Sequence, residues 1–371
     1  MTDIPPGASL YFRPTAFVDA PFGLDGKVMR LAGGLLWFSA FEVIVVDGGE
    51  RRAMRLVTVE ALDGFLHSLS DEQAAAARGT IARISEARDP LQLGERVLRF
   101  DEPRIAGILN ITPDSFSDGG KHCDDPQAAA DAGFAMSANG AALIDIGGES
   151  TRPGAADVWE GDEIERVVPV IERLAASGIA ISVDTRKAAV MDATLVAGAS
   201  IVNDVSALRF DDRALELMAR AECPVIIMHH AGKAHELHAD PNYRDPLVEV
   251  YDWLDRRIEE LVAGGVTRGR IIVDPGIGFG KALQHNLALI NGLSLFHGLG
   301  CPIMLGASRK RLIGALSNEA PAEDRLGGSL SLVTLAAAQG IQLIRVHDVS
   351  ESVQALHVWR GLRDAALMPA H

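Results

Sequence analysis

From about residue 104 onward the chain repeats one pattern: a short apolar run, a loop rich in Gly, Asp, Ser or Asn, and an amphipathic stretch. This alternation is typical of βα units that build a parallel sheet. There are eight apolar runs, at residues 105–109, 142–146, 180–183, 200–202, 225–228, 271–273, 303–305 and 343–346. Eight strand and helix pairs within about 265 residues match a (β/α)8 barrel, which typically takes about 250. The pattern predicts an α/β protein with a TIM barrel, and a doubly wound open sheet is the main alternative.

The first 95 residues lack this pattern. They contain three strand-like runs and an Ala-rich helix candidate, at 10–18, 35–46, 55–59 and 71–87. We expect a small N-terminal α+β extension at 1–95, with no recognisable catalytic constellation, followed by a catalytic barrel at 96–371. A hairpin at 97–103 is predicted to close the floor of the barrel beside this boundary.

The composition narrows the class of protein. Asp and Glu total 50 against 35 Lys and Arg, a formal charge of −15, so nucleic acid, which is bound through clustered basic residues, is not expected as a partner. A hydrophobic fraction of 48% with 23% charged residues is typical of a folded soluble protein. No apolar run reaches the roughly 18 residues of a membrane span, and Asp3, Pro5 and Pro6 are unlike a signal peptide. We expect a cytoplasmic protein without membrane contact, and its three scattered cysteines predict neither a disulfide framework nor a zinc knuckle.

In a TIM barrel the residues that follow each strand gather at one rim, where enzymes of this architecture place their chemistry. Polar residues follow every predicted strand in this chain. The rim segments are 110–120, 147–154, 184–187, 203–204, 229–230, 274–281, 308–311 and 345–348.

One set of rim side chains suits a flat heterocycle with hydrogen-bond donors and acceptors along its edge. Asp184, Asn203, Asp274 and Lys310 supply both neutral and charged hydrogen-bonding groups. The Asp274 carboxylate matches an amino group and a ring N–H presented side by side, because its two oxygens can accept both.

A second set suits phosphate, and it comprises Asn110, Arg152, Arg345 and His347. Arginine offers a planar fork to phosphate oxygens, whereas the asparagine oxygen is a hard ligand for Mg²⁺. Mg²⁺ usually brings its own waters and substrate phosphates to a site with few protein ligands. The residue types in this set therefore suit a phosphate group and the Mg²⁺ that accompanies it.

Structural explanations compete with some of these assignments. An Asp at a strand end before Pro or Thr often caps a helix or forms a turn, and for Asp184 or Asp274 alone this explanation is at least as good as binding. The glycine-rich run 276–281 lacks the first Gly of a Walker loop and the spacing of a dinucleotide fingerprint. Both nucleotide sites are therefore rejected.

Four histidines fall close together, but they include no H-E-x-x-H pair. We expect a surface loop there and not a zinc site. They are His229, His230, His235 and His238. Lys187 and Lys281 are interpreted as solvated or structural.

Taken together, the motifs resemble those of the dihydropteroate synthase family, and the resemblance covers roughly residues 96–366 in the correct motif order. Its most specific elements are GILNITPDSFSDGG at 107–120 and DIGGESTRPG at 145–154. Segments 274–281, 308–310 and 345–349 support it. The resemblance implies a (β/α)8 barrel that condenses 6-hydroxymethyl-7,8-dihydropterin pyrophosphate with 4-aminobenzoate, using Mg²⁺, to give 7,8-dihydropteroate and pyrophosphate.

The resemblance also implies a role for each candidate residue. The pterin would be held by Asp184, Asn203, Met228, Asp274 and Lys310. Asn110 would contact Mg²⁺ or the diphosphate, which would also be bound by Thr151, Arg152, Arg345 and His347. The 4-aminobenzoate ring would be enclosed by Phe116, Pro153 and Phe279. Two mobile loops carrying Asp118, Thr151 and Arg152 would complete the site, and the catalytic residues would be Asp118, Arg152, Lys310, Arg345 and His347.

One position departs from the pattern of the family. Many members carry Ser directly after a Ser-Arg-Lys triplet, where it contacts the carboxylate of 4-aminobenzoate, and this chain has Arg311. Pointing inward, Arg311 would pair with that carboxylate; pointing outward, it would leave the task to the backbone N–H groups of the helix N-terminus.

Two other functions share the barrel and the pterin-binding carboxylates. A pterin-dependent methyltransferase has no use for the 151–153 loop or for an anion site at Arg345 and His347. A non-catalytic pterin-binding paralogue is disfavoured by the intact rim residues. Family members are commonly homodimers and sulfonamide targets, and the resemblance extends both properties to this chain as expectations.

Overall fold

The computed structural model describes residues 4–112, 125–239 and 242–368, and its first part is an antiparallel sheet with two helices. The elements are β1 (Ser9–Val18), β2 (Met29–Arg30), β3 (Trp37–Asp47), β4 (Glu50–Thr58), α1 (Leu62–His67) and α2 (Asp71–Ser85). The central strand β3 pairs with β1, β2 and β4. Gly48 and Gly49 form the turn between β3 and β4 with φ of +61° and +75°, a conformation that favours glycine. The predicted α+β elements are confirmed, although the strand run at 55–59 proves to be the end of a strand that begins at Glu50.

A short hairpin plugs the floor of the barrel. It consists of β5 (Leu91–Leu93) and β6 (Arg96–Leu98), so the hairpin predicted at 97–103 lies several residues earlier. Its buried side chains pack against residues near the amino ends of the barrel strands, including Ala106 and Leu343. The predicted closing of the floor is therefore confirmed, and residue 95 falls in the turn of the plug.

The remaining chain forms a closed parallel barrel. The strands are β7 (Arg104–Asn110), β8 (Leu143–Gly147), β9 (Ile181–Asp184), β10 (Ile201–Asp204), β11 (Val225–Met228), β12 (Ile271–Asp274), β13 (Met304–Leu305) and β14 (Leu343–Val346). Their order is β12-β11-β10-β9-β8-β7-β14-β13, and a parallel bridge between Val273 and Ile303 joins the two ends. A doubly wound sheet would leave those edges open, so the predicted TIM barrel is confirmed.

Helices surround the barrel because each buries an apolar stripe against the strands. They are α3 (Pro126–Ala138), α4 (Glu160–Ala175), α5 (Ala188–Val196), α6 (Ala214–Ala221), α7 (Pro246–Ala263), α8 (Leu283–Asn291), α9 (Arg311–Leu316), α10 (Leu326–Ala338) and α11 (Val349–Ala366). In α7 the Asp245 side chain caps the first turn by accepting from Val248 N, and Pro246 occupies the first helical position. No helix in the described part of the chain is both long and apolar enough to span a bilayer.

The N-terminal sheet is packed between its own helices and the flank of the barrel. One face contributes Tyr11 and Ile44 to the apolar cluster of the barrel, which includes Tyr251 of α7. The other face is covered by α1 and α2. Polar contacts fix the arrangement, since the Tyr11 hydroxyl donates to Asp252 at 2.8 Å and Arg83 Nε donates to the carbonyl of Gly298 at 2.6 Å. The extension is therefore integrated with the barrel by burial on both sides.

Candidate active site

The carboxyl ends of the barrel strands open into a cavity of about 1050 Å³. Every candidate residue that the structure describes lines this cavity. They are Asn110, Thr151, Arg152, Pro153, Asp184, Asn203, Met228, Asp274, Phe279, Lys310, Arg311, Arg345 and His347. Phe116 and Asp118 lie outside the described residues. The structure thus brings the heterocycle set and the phosphate set into one space, while the role of each residue stays a prediction.

Asp274 ends β12 at the floor of the cavity, and it is 4% exposed. One of its oxygens accepts the backbone N–H of Gly276 at 2.7 Å. Gly276 has a φ of +70°, and a Cβ there would lie 1.9 Å from the carbonyl oxygen of His229, so this turn requires glycine. Burial raises the pKa of Asp274, although the positive charge of Lys310 acts in the opposite direction. The floor therefore holds a desolvated carboxyl group whose charged form a hydrogen-bond donor from a ligand would stabilise.

Arg345 of β14 joins two carboxylates at the centre of the floor. Its Nε donates to Asp145 at 2.5 Å and its Nη2 donates to Asp184 at 2.9 Å. Asn203 Nδ2 lies 3.2 Å from the same Asp145 carboxylate. Burial raises the pKa of Asp184, and the positive charge of Arg345 opposes that shift. For Arg345 itself, burial favours a lower pKa, but the carboxylates of Asp145 and Asp184 outweigh burial and raise it. The guanidinium is thus fixed as a cation beneath the ligand space.

Asp145 was missed as a site residue in the sequence, although it stands in one of the motifs. It is 1% exposed within β8, and it interrupts an otherwise apolar strand. A charged residue inside a buried parallel strand needs a partner of opposite charge or a hydrogen-bond donor. The acidic residue within the apolar run was therefore the feature of the sequence that indicated a buried polar contact. Its partner, Arg345, is 200 residues away along the chain, so the pairing itself was not visible.

Lys310 connects the floor to an aromatic wall. Its ammonium donates to the carbonyl of Ile277 and lies 4.6 Å from the centroid of the Phe279 ring. A Cβ at Gly278 would lie 3.2 Å from the Lys310 stem, so the loop passes close to it. Burial lowers the pKa of Lys310 to about 8, with Asp274 opposing the shift. The residue can therefore act as a cationic donor between the two parts of the cavity.

His347 carries little positive charge in the free protein. Burial, followed by Arg345 and Arg309, lowers its pKa to about 3. Its Nδ1 is 3.1 Å from the hydroxyl of Ser308, whose Oγ also accepts the His347 backbone N–H at 3.2 Å. His347 is thus a neutral hydrogen-bonding group, and the positive potential of the phosphate set comes from its arginines.

The loop after β8 is anchored by a buried network of charges. Glu149 accepts from Arg186 Nε, from Lys187 Nζ and from the backbone N–H of Val158, each at 3.0 Å. Arg186 also reaches Asp157 at 2.8 Å, so both ends of the loop are tied to the segment after β9. This confirms that Lys187 is structural. Arg152 and Pro153, between the two anchors, are exposed.

The histidine segment is not the uniform surface loop that we predicted. His229 and His230 are 3% and 0% exposed, because they face Trp253 of α7, whereas His235 is exposed. Lys281 Nζ lies 2.9 Å from His229 Nδ1, which confirms a structural place for that lysine. No set of three metal-ligating side chains occurs within residues 4–112, 125–239 and 242–368.

Comparison with known proteins identifies the family of the chain. A profile of the family described as "Pterin binding enzyme" matches residues 106–347. The dihydropteroate synthase of Neisseria meningitidis serogroup B is 43% identical over 281 residues, which are 74% of this chain and 98% of that protein. This chain belongs to the dihydropteroate synthase family. Two crystal structures of dihydropteroate synthases agree with the assignment.

The first is the enzyme of Yersinia pestis with a sulfonamide drug complex, which aligns with a TM-score of 0.71 at 42% identity over 74% of this chain and 100% of that one. The second is the Xanthomonas albilineans enzyme with 4-aminobenzoic acid, with a TM-score of 0.70 at 44% identity over 75% of this chain and 99% of that one. These dihydropteroate synthases match about three quarters of the chain, a share similar to that of the barrel and its plug.

Arg311 stands where the sequence departs from the pattern expected of the family. It is the first residue of α9, directly after Lys310, and it is exposed at the mouth of the cavity. Which of the two alternatives for Arg311 holds stays a prediction.

Proposed function

We propose that this cavity is where the chain joins a pterin diphosphate to an arylamine. The chain is a transferase of the dihydropteroate synthase family: it condenses 6-hydroxymethyl-7,8-dihydropterin pyrophosphate with 4-aminobenzoate to give 7,8-dihydropteroate and pyrophosphate. The observation that carries the assignment of the site is the pairing of buried carboxylates on the cavity floor with Arg345 and Lys310 beside them. Such a floor suits a flat heterocycle whose substituent ends in an anionic group.

The pterin lies against the floor. Asp274 accepts the amino group and neighbouring ring N–H of the heterocycle, because one carboxylate offers two oxygens to two parallel donors. Asp184 and Asn203 bond to the opposite part of the ring edge, and Lys310 donates to an acceptor on it. Met228, which is buried in a small apolar cluster at the carboxyl end of β11, packs against the ring face. When the pterin binds Asp184, the Arg345 guanidinium loses its hydrogen bond to that carboxylate and becomes available to the diphosphate.

The diphosphate is bound by the second set of residues. Arg345 and Arg152 offer charged forks, and His347 and Thr151 add neutral hydrogen bonds. Asn110 ends β7 and lines the cavity. The described residues contain no group of three or more His, Cys, Asp or Glu side chains placed to hold a metal ion, so a metal at Asn110 would depend on the diphosphate for most of its ligands. This donor set fits Mg²⁺, which binds through one or two protein oxygens plus substrate phosphates. When bound, Mg²⁺ would neutralise charge on the diphosphate oxygens.

The reaction replaces a carbon–oxygen bond with a carbon–nitrogen bond. The amine nitrogen attacks the pterin methylene, the bond from this carbon to the diphosphate oxygen breaks, and the nitrogen then releases a proton to solvent. An arylamine is a weak nucleophile, so stabilisation of the departing diphosphate dominates, and one well-placed donor is worth about 3–4 kcal/mol. The electron-rich dihydropterin spreads the positive charge that develops on the methylene.

The arylamine enters from the mouth of the cavity. Phe279 and Pro153, with Phe116, enclose its ring, and Arg311 pairs with its carboxylate. The loop that carries Thr151 and Arg152 limits access of water, which would otherwise hydrolyse the pterin diphosphate. A sulfonamide that mimics the arylamine competes for this space.

Aminobenzoate-dependent release of pyrophosphate tests the function. The purified chain is given the pterin diphosphate and Mg²⁺, with and without 4-aminobenzoate, and pyrophosphate and dihydropteroate are both quantified. Equal amounts of the two products are expected only when all components are present. A pterin-dependent methyltransferase or a non-catalytic paralogue would bind the pterin and form no dihydropteroate.

We also propose that the enzyme is a homodimer in the cytoplasm. Leu335 of α10 and Val358 and Leu362 of α11 are exposed apolar side chains on consecutive helices, which supports an interface between copies. One chain has a mass of 39.5 kDa, and light scattering after size-exclusion chromatography should give twice that value.

A further inference from the structure

The segment that follows β11 folds back over the rim and is anchored there by Leu237. This side chain is 7% exposed and packs with Val205 and Met228, and Phe279 packs against the same cluster. Two backbone hydrogen bonds shape the fold, from the N–H of Glu236 to the carbonyl of Lys233 at 2.8 Å and from the N–H of Ala239 to the carbonyl of Glu236 at 3.2 Å. The anchor places the next residue, His238, on the wall of the cavity.

His238 contacts two other loops at once. Its ring is stacked on that of Phe279, with centroids 5.2 Å apart and an angle of 14° between the planes. Its Nε2 lies 2.8 Å from the carbonyl oxygen of Thr151, so Nε2 carries a proton and donates it to that oxygen. The imidazole thereby links the loops that follow β8, β11 and β12.

The two partners of His238 belong to the walls of the proposed arylamine subsite. Phe279 is also 4.6 Å from the Lys310 ammonium, so its ring is fixed by a stacked imidazole and a cation together. Thr151 directly precedes Arg152 and Pro153, whose side chains are exposed. The bond to the Thr151 carbonyl therefore sets how near the Pro153 wall lies to the Phe279 wall.

We propose that His238 is a positioning residue for 4-aminobenzoate, acting through Phe279 and Thr151. It sets the width of the slot that receives the arylamine ring through its contacts with Phe279 and Thr151. The inference rests on the proposed function, because it assigns a specificity role within that same site. It predicts a selective loss of arylamine binding when the link is cut.

Three substitutions separate the two contacts. His238→Phe keeps a ring for stacking and removes the donor to Thr151, whereas His238→Gln keeps an N–H donor and removes the ring. His238→Ala removes both. His235→Ala is the matched control, because His235 lies in the same segment, is about two-thirds exposed and is 3.8 Å from Glu236.

For each protein four quantities are measured: the Michaelis constants for the arylamine and for the pterin diphosphate, kcat and the melting temperature. His238→Ala should raise the aminobenzoate KM about tenfold, and the Phe and Gln variants about threefold each, the order expected for one ring contact and one neutral hydrogen bond. The pterin diphosphate KM and the melting temperature should stay at the values of the His235→Ala control.

An unchanged aminobenzoate KM in His238→Ala would overturn the inference. A parallel rise of both KM values with a lower melting temperature would also overturn it, because it would show a merely structural role. Failure of the proposed function is a separate result, since the unsubstituted enzyme would then form no dihydropteroate.

Discussion

Removal of the Arg345 charge tests whether the guanidinium stabilises the leaving diphosphate or only neutralises its carboxylate neighbours. It bridges Asp145 and Asp184 at 2.5 and 2.9 Å, and its side chain is 18% exposed. Arg345→Met leaves the buried carboxylates of Asp145 and Asp184 without the guanidinium that they share. Breaking a buried ion pair in this way costs about 3–5 kcal/mol of stability. Loss of the contact with the diphosphate should reduce kcat by about 10²–10³, with little change in the aminobenzoate KM.

The two effects are separated by a second change. Asp145→Asn removes one of the unpaired charges, so the double variant should recover part of the free energy of unfolding that Arg345→Met loses. If Arg345 acts on the diphosphate, turnover in the double variant stays about a hundredfold below that of Asp145→Asn alone. Urea unfolding gives the stabilities, and pyrophosphate release at saturating substrates gives kcat.

The refuting result is recovery of turnover together with stability. If the double variant works at the same rate as Asp145→Asn, the cation serves only to balance charge on the cavity floor. The leaving group would then have to be stabilised by Arg152 and the metal without it.

Three other predictions follow from contacts in the structure. Asp274→Asn replaces a carboxylate with two acceptor oxygens by an amide with one acceptor and one donor. Calorimetry should show that the affinity for the pterin falls by about tenfold to a hundredfold. An unchanged affinity would remove Asp274 from the pterin site. Burial lowers the pKa of His347 to about 3. In an NMR titration of the free protein from pH 5 to 8, the ¹³C chemical shift of the His347 ring should therefore stay at the value of a neutral imidazole. The signal is assigned by its loss in His347→Gln. The unfolded state alone takes up this proton below about pH 6.5, so His347 lowers stability as the pH falls towards 3; a titration near 6.5 would contradict the burial argument. The fragment 96–371 lacks Leu91 and Leu93 of the floor plug and exposes Tyr251 to solvent. It should therefore melt at a lower temperature than the full chain and elute as aggregates in size-exclusion chromatography. A stable soluble fragment would show that the extension is dispensable.

The eight barrel strands could be predicted from the sequence because each contains a short, largely buried apolar run that is followed by polar residues. Such runs report burial on both faces directly. The same logic placed Asp184, Asn203 and Asp274 on one rim, since strand ends in a parallel barrel face one way. Those features depend on local sequence and on one rule of architecture.

Other features depend on contacts between distant segments and gave no local signal. The pairing of Arg345 with Asp145 joins β14 to β8, and the burial of His229 depends on Trp253 in the following helix. The position of His238 against Phe279 required the folded-back segment, which has no regular periodicity. The hairpin of the floor plug was predicted several residues too late in the sequence. Its short strands are determined by packing against the barrel floor more than by a pattern in their own residues.

The most direct test of the central claim is a crystal structure with the pterin diphosphate bound. The heterocycle should lie on the floor with Asp274 accepting from its amino group and ring N–H, and the diphosphate should lie within hydrogen-bond distance of Arg345 and His347. A pterin bound outside this cavity, or a diphosphate directed away from Arg345, would contradict the account.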